Sequence, residues 1–110
     1  MRLKTVVLPV PNMDAAVAFY RDVLGLAPAS VSPWWSELDT GGVRVALHPA
    51  HPGLRVALQL VCPDLEAAVA GLRARGVPVE GPRVEEGMDY PTATLTAPDG
   101  ATVVLEGEGR

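Results

Sequence analysis

The sequence predicts an α+β fold: two βαβββ modules forming a curved eight-stranded mixed sheet with the helices on one face. Three observations predict it. The segments "DAAVAFYRDVLGL" (14–26) and "EAAVAGLRARGVPV" (66–79) are near-copies, and a shift of 52 residues brings Asn12 onto Asp64, Met13 onto Leu65, Ala16 onto Ala68, Val17 onto Val69 and Tyr20 onto Leu72. A β-rich run of strand length precedes each copy, "TVVLPV" in the first and "VALQLV" in the second. After each copy comes a Gly-containing turn followed by an alternating strand, "DTGGVRVALH" and "APDGATVVLE". One βαβββ unit cannot bury both faces of its sheet. Two units put both helices on one face and leave the other free to form a cavity. Two chance amphipathic helices would not explain matched caps, matched faces and matched flanking strands together.

In chain order, the first module spans about 1–50. It opens with the strand "TVVLPV". Asn12 then stands as an N-cap, its side-chain oxygen able to accept a free amide hydrogen of the first turn. Met13, Ala16, Val17, Tyr20, Val23 and Leu24 recur at helical spacing as one apolar face, and Gly25 sits where a left-handed C-terminal cap ends the helix. Strands follow at about 28–31, 33–39 and 43–48, the first weakened by Pro. The second module, about 54–110, repeats the plan. Its strand is "VALQLV", its N-cap Asp64, its helix face Leu65, Ala68, Val69 and Leu72, and its C-cap Gly76. The remaining strands fall at about 78–84, 90–96 and 101–106. The whole is one domain of 110 residues.

Composition narrows the function. The net charge is −4 with no basic cluster, which argues against nucleic acid. No apolar run approaches the roughly 20 residues of a membrane span, and the N-terminus lacks the pattern of a signal peptide. Cys62 is the single cysteine, so no internal disulfide forms and a cytoplasmic location is expected. A nucleophile elbow, a phosphate-binding Gly-rich loop and a paired-Cys metal motif are all missing from the sequence.

"VVLPVPNMDAAVAFYRDVLGL" resembles the opening of the vicinal-oxygen-chelate superfamily, which includes glyoxalase I, bleomycin-resistance proteins, fosfomycin-resistance enzymes and extradiol dioxygenases. "LEAAVAGLRARGVPV" and "APDGATVVLEGE" resemble its second helix and closing strand. The resemblance covers nearly the whole chain and speaks for fold more than for function, because this fold carries many chemistries. It implies frequent dimerisation. In the enzymes it also implies a divalent metal on the open sheet face, held by His, Glu or Gln. Carried over by motif, the four ligand positions are Thr5, Ala46, Ala57 and Val104. Ala and Val have no donor atom, and one neutral hydroxyl is a poor sole anchor for a divalent ion. The expectation is therefore no metal and no cofactor.

Strand alternation sorts the other residues. Val6, Leu8, Val10, Leu58, Leu60 and Cys62 should face the helices. The opposite parity gives Thr5, Val7, Arg44, His48, Arg55, Gln59, Thr92, Thr94, Thr102 and Glu106 to the cavity face, with Trp35 and Glu37 joining them if Leu38 points to the core. Two adjacent Trp in a strand point to opposite faces, so one of Trp34 and Trp35 is expected in the core and the other on the open side. The open-side ring is either a stacking platform for a planar or cationic ligand or a filler of a dimer interface. Glu37 and Glu106 are candidate counter-charges, or else solvated strand ends. In "HPAH", His51 belongs to a solvated connection, while His48 is placed either there or at the cavity rim.

These residues point to a metal-free protein that binds and sequesters a small molecule, a drug or natural product, as a homodimer of the bleomycin-resistance type. The candidate ligand-binding residues are Trp34, Trp35, Glu37, Arg44, His48, Arg55, Gln59, Thr92, Thr94 and Glu106. The alternative is a metal-dependent glyoxalase-like isomerase, lyase or dioxygenase with displaced ligands, His48, Glu106 and Glu37 being the best candidates. A third reading is an interaction module without a small ligand.

Overall fold

The computed structural model describes residues 1–108. The elements follow the order the repeat predicts: β1 (Arg2–Val10), α1 (Met13–Ala18), β2 (Ala27–Ser30), β3 (Ser36–Asp39), β4 (Arg44–Pro49), β5 (Ala57–Val61), α2 (Leu65–Ala74), β6 (Glu80–Val84), β7 (Pro91–Thr96) and β8 (Thr102–Glu106). Eight strands in mixed pairing with two helices give the expected α+β class. The backbone divides into two compact units, one of Thr5–Ala57 and one that joins Met1–Lys4 to the chain from Leu58 onward. β1 is thus shared, its first residues clustering with the second half of the sequence.

In the Thr5–Ala57 unit the strand order is β2-β3-β4-β1. β1 runs parallel to β4, with Val7 opposite Ala46, while β3 runs antiparallel to both β2 and β4, with Glu37 opposite Ala46. A parallel pair needs a long crossover, and the segment from α1 to β3 supplies it. Asn12 accepts the Ala15 amide hydrogen at 3.0 Å and starts α1 as a cap. Val17, Met13, Ala16 and Tyr20 then pack on Val10, Leu38, Leu47, Leu8 and Val45. Leu38 and Leu47 are fully buried, each stabilising the fold by about 1.5–3 kcal/mol.

The helix face departs from expectation at its end. Val23 and Leu24 are 68 % and 54 % exposed rather than packed. The cause is a π turn over Phe19–Val23, closed by the Leu24 amide donating to the Phe19 carbonyl. A π turn spaces its hydrogen bonds five residues apart, so later side chains rotate off the face that a 3.6-residue period assigns them. The repeat shows where the irregularity entered. Asn12 and Asp64 lie 52 positions apart, but the cap glycines Gly25 and Gly76 lie 51 apart. The first copy holds one extra residue between cap and cap, and the π turn absorbs it. Gly25 and Gly76 both adopt positive φ, 75° and 83°, as left-handed caps require.

In the second unit the order is β5-β8-β7-β6, with β7 antiparallel to β8 and β6. Asp64 caps α2 by accepting the Ala67 amide hydrogen at 3.1 Å. Leu65, Val69 and Cys62 form the core with Ala93, Val103 and Leu105. Leu60 packs beside them. The residues alternating with these, Gln59 on β5, Thr92 and Thr94 on β7, and Val104 and Glu106 on β8, take the other face.

Candidate ligand-binding face

The face of the Thr5–Ala57 unit opposite α1 carries the most chemistry. Leu38 is core, so Glu37 lies on the other side of β3, beside Ala46 and across from Val7. Trp34 and Trp35 do not lie in a strand, since β3 begins at Ser36. This corrects the expectation that one ring enters the core: Trp34 is 76 % exposed. Two serines set the bend. The Ser32 hydroxyl accepts the Trp35 amide hydrogen at 2.9 Å and donates to the Trp35 carbonyl at 2.8 Å. The Ser36 hydroxyl donates to the Ser32 carbonyl at 3.2 Å. The serines flanking "PWW" were the available signal for this turn, as hydroxyls that bond locally to backbone favour such bends.

The bend directs Trp35 toward Glu37. Its indole N–H donates to Glu37 Oε2 at 2.8 Å, and Arg44 Nη1 donates to Glu37 Oε1 at 3.2 Å. The carboxylate holds an aromatic ring on one side and a guanidinium on the other. The His48 and Trp35 rings form a T-shaped pair, with centroids 6.2 Å apart and planes at 83°. His48 Nδ1 lies 2.9 Å from the Pro49 carbonyl, which only accepts, so Nδ1 carries a proton and Nε2 keeps its lone pair in the neutral ring. Trp35, Glu37, Arg44 and His48 are therefore brought together. His51 is exposed, its ring centroid 6.2 Å from that of His48.

The remaining candidates are placed otherwise. Arg55 precedes β5 and is exposed in the connecting segment, so strand parity does not apply to it. In the second unit Thr92 pairs with Glu106 and Thr94 with Val104. Thr94 also lines a depression of about 310 Å³ together with Glu80, Thr96 and Thr102. Glu106 is only 5 % exposed and accepts from Lys4 Nζ at 3.0 Å. Lys4 lies 5.8 Å from the centre of the Tyr90 ring. Neither Lys4 nor Tyr90 was legible as a partner, because Lys4 is 102 residues from Glu106 and belongs to the other copy of the repeat.

Thr5, Ala46, Ala57 and Val104 stand at the positions where the resemblance puts metal ligands. Thr5 and Ala46 are 3 % and 0 % exposed, and no group of three His, Cys, Asp or Glu side chains comes together among the described residues. Two of the displaced donors are engaged, Glu37 with Trp35 and Arg44 and Glu106 with Lys4, which leaves the single Nε2 of His48. This donor set does not fit a divalent cation.

The family model described as "Glyoxalase/Bleomycin resistance protein/Dioxygenase superfamily" matches residues 2–105. The chain belongs to this superfamily. Solved structures similar to this member agree on the fold. A glyoxalase/bleomycin resistance protein/dioxygenase superfamily member from Vibrio splendidus superposes with a TM-score of 0.78 at 19 % identity, covering 96 % of this chain and 99 % of that one. A hypothetical protein from Bacillus halodurans gives 0.75 at 13 % identity, with 99 % and 95 % covered. A structure described as an NAD-dependent benzaldehyde dehydrogenase from Legionella pneumophila gives 0.72 at 16 % identity, with 94 % and 96 % covered. No curated protein matches the sequence. No helix among the described residues of this glyoxalase-superfamily chain is long and apolar enough to cross a membrane.

Proposed function

We propose that the protein is a metal-free binder of a small, flat organic molecule, a drug or natural product, which it sequesters without transforming. The observation that carries the reading is the Trp35–Glu37–Arg44 array, in which an aromatic ring and a guanidinium are held in place by one carboxylate. A ring fixed by its own N–H loses little freedom when a ligand stacks on it, which favours binding. Nothing in the array resembles a nucleophile paired with a base. The protein is further proposed to act as a homodimer, with Phe19, Val23, Leu24 and Trp34 as apolar groups available for association.

Metal analysis of the dialysed protein, combined with ligand titration followed by Trp fluorescence, tests the reading. Saturable quenching by a flat ligand that is recovered unchanged, with sub-stoichiometric metal, is the expected result. An equimolar transition metal that is lost in His48→Ala, or turnover of an oxygenated substrate, would overturn it in favour of the enzyme reading.

A further inference from the structure

Hydrogen-bonding capacity on this face is lopsided. Glu37 has both oxygens engaged, Oε2 by the Trp35 indole and Oε1 by Arg44. Asp39, next on the same side of β3, turns Oδ1 onto the Gly41 amide in the β3–β4 turn at 2.9 Å. His48 offers a lone pair at Nε2 and, when neutral, no charge. Arg44 differs. Its guanidinium carries five N–H donors, and Glu37 takes only one through Nη1 among the described residues. The Arg44 side chain is 44 % exposed, so the remaining fork is open to a ligand. A cationic group arriving here would meet a carboxylate already paired with two donors, and would have to displace Arg44. An anionic oxygen group would take up donors that have no other partner among the described residues.

We propose that this face reads an aromatic anion: a flat ring system stacks on Trp35 while its carboxylate, or a like-charged oxygen group, bonds to the guanidinium of Arg44. Glu37 is the positioning residue, holding both recognition groups at once. The assignment rests on the binding function proposed above and names the class of its ligand. It reverses the sequence-based expectation of Glu37 as a counter-charge to a cation, because that counter-charge is already met within the chain. Arg in place of Lys at this position also suits a carboxylate, since a planar fork matches two oxygens at once.

Isothermal titration of the intact protein with three matched probes tests the assignment: 2-naphthoate, 2-naphthalenemethanol and 2-naphthylmethylammonium. The naphthoate is expected to bind about 10-fold more tightly than the ammonium, as suits one charge-assisted contact. Arg44→Gln should bring naphthoate down to the affinity of the alcohol, and Arg44→Lys, which keeps the charge and loses the fork, should fall between. Circular dichroism checks that each variant folds, and Arg44→Lys carries the test alone if Arg44→Gln does not. Equal or tighter binding of the ammonium overturns the anion assignment and leaves the aromatic-binding function standing. A naphthoate preference that survives Arg44→Gln likewise overturns it. Failure of all three probes to bind at millimolar concentration overturns both.

Discussion

At the scale of single residues, neighbours in sequence have unlike fates. Trp34 and Trp35 differ only by one position, and the Ser32 hydroxyl accepts both amides, yet the Glu37 carboxylate holds the second ring by its indole N–H and leaves the first exposed. Trp35→Ala is expected to weaken binding of a flat ligand by roughly 5–30-fold, the loss of about 1–2 kcal/mol of stacking, while Trp34→Ala leaves it unchanged. Equilibrium titration of the two variants against wild type checks this. Cys62 is 1 % exposed in the core of the second unit, and burial pushes its thiol pKa up. The native thiol should therefore resist alkylation at neutral pH and react once urea opens the fold. The folded pKa lies above the unfolded one, so the protonated thiol's contribution is complete below about pH 8.5 and is lost as pH rises through the folded value. Urea midpoints of wild type should fall from pH 7 to pH 10 more steeply than those of Cys62→Ala.

At the scale of elements, the repeat was legible because it is written in features that act locally. Asn12 and Asp64 cap as their side-chain chemistry dictates, Gly25 and Gly76 close the helices, and alternation about Leu38 and Leu105 sorts the strand faces. Local irregularities were not legible, because neighbouring packing decides them. The π turn at Phe19–Val23 and the bend that removes Trp35 from β3 break periods on which the reading depended. The Lys4–Glu106 pair was hidden for a different reason: nothing in a one-dimensional pattern ties a residue in the first strand to one in the last. Another local constraint lies at β6. Gly81 adopts φ of 97°, and a Cβ there would sit 2.8 Å from the Thr92 carbonyl oxygen on β7. Gly81→Ala thus combines a strained backbone with a contact against main chain, and should cost about 1–3 kcal/mol in urea unfolding. Gly71→Ala, inside α2 with open space around its Cβ, should be neutral or slightly stabilising.

At the scale of the whole molecule, small size limits what one copy can bury. A chain of 11.5 kDa with Phe19, Val23 and Leu24 all about half exposed or more has reason to associate. Sedimentation at micromolar concentration is expected to give about twice the chain mass. A monomer throughout that range would refute the proposed homodimer. The end of the first helix gives this expectation a sharper form. Both helix ends face outward, but only the first presents large apolar side chains there, Val23 and Leu24. Counted back from the cap glycines, Val23 and Leu24 correspond to Ala74 and Arg75, which are also exposed, so side-chain type makes the strip, and Val23→Ala with Leu24→Arg would give the first helix end the surface of the second. The doubly substituted chain should remain folded and lose self-association if the strip is what joins two copies. Two side chains at one helix end would then decide which of the matched halves meets another chain.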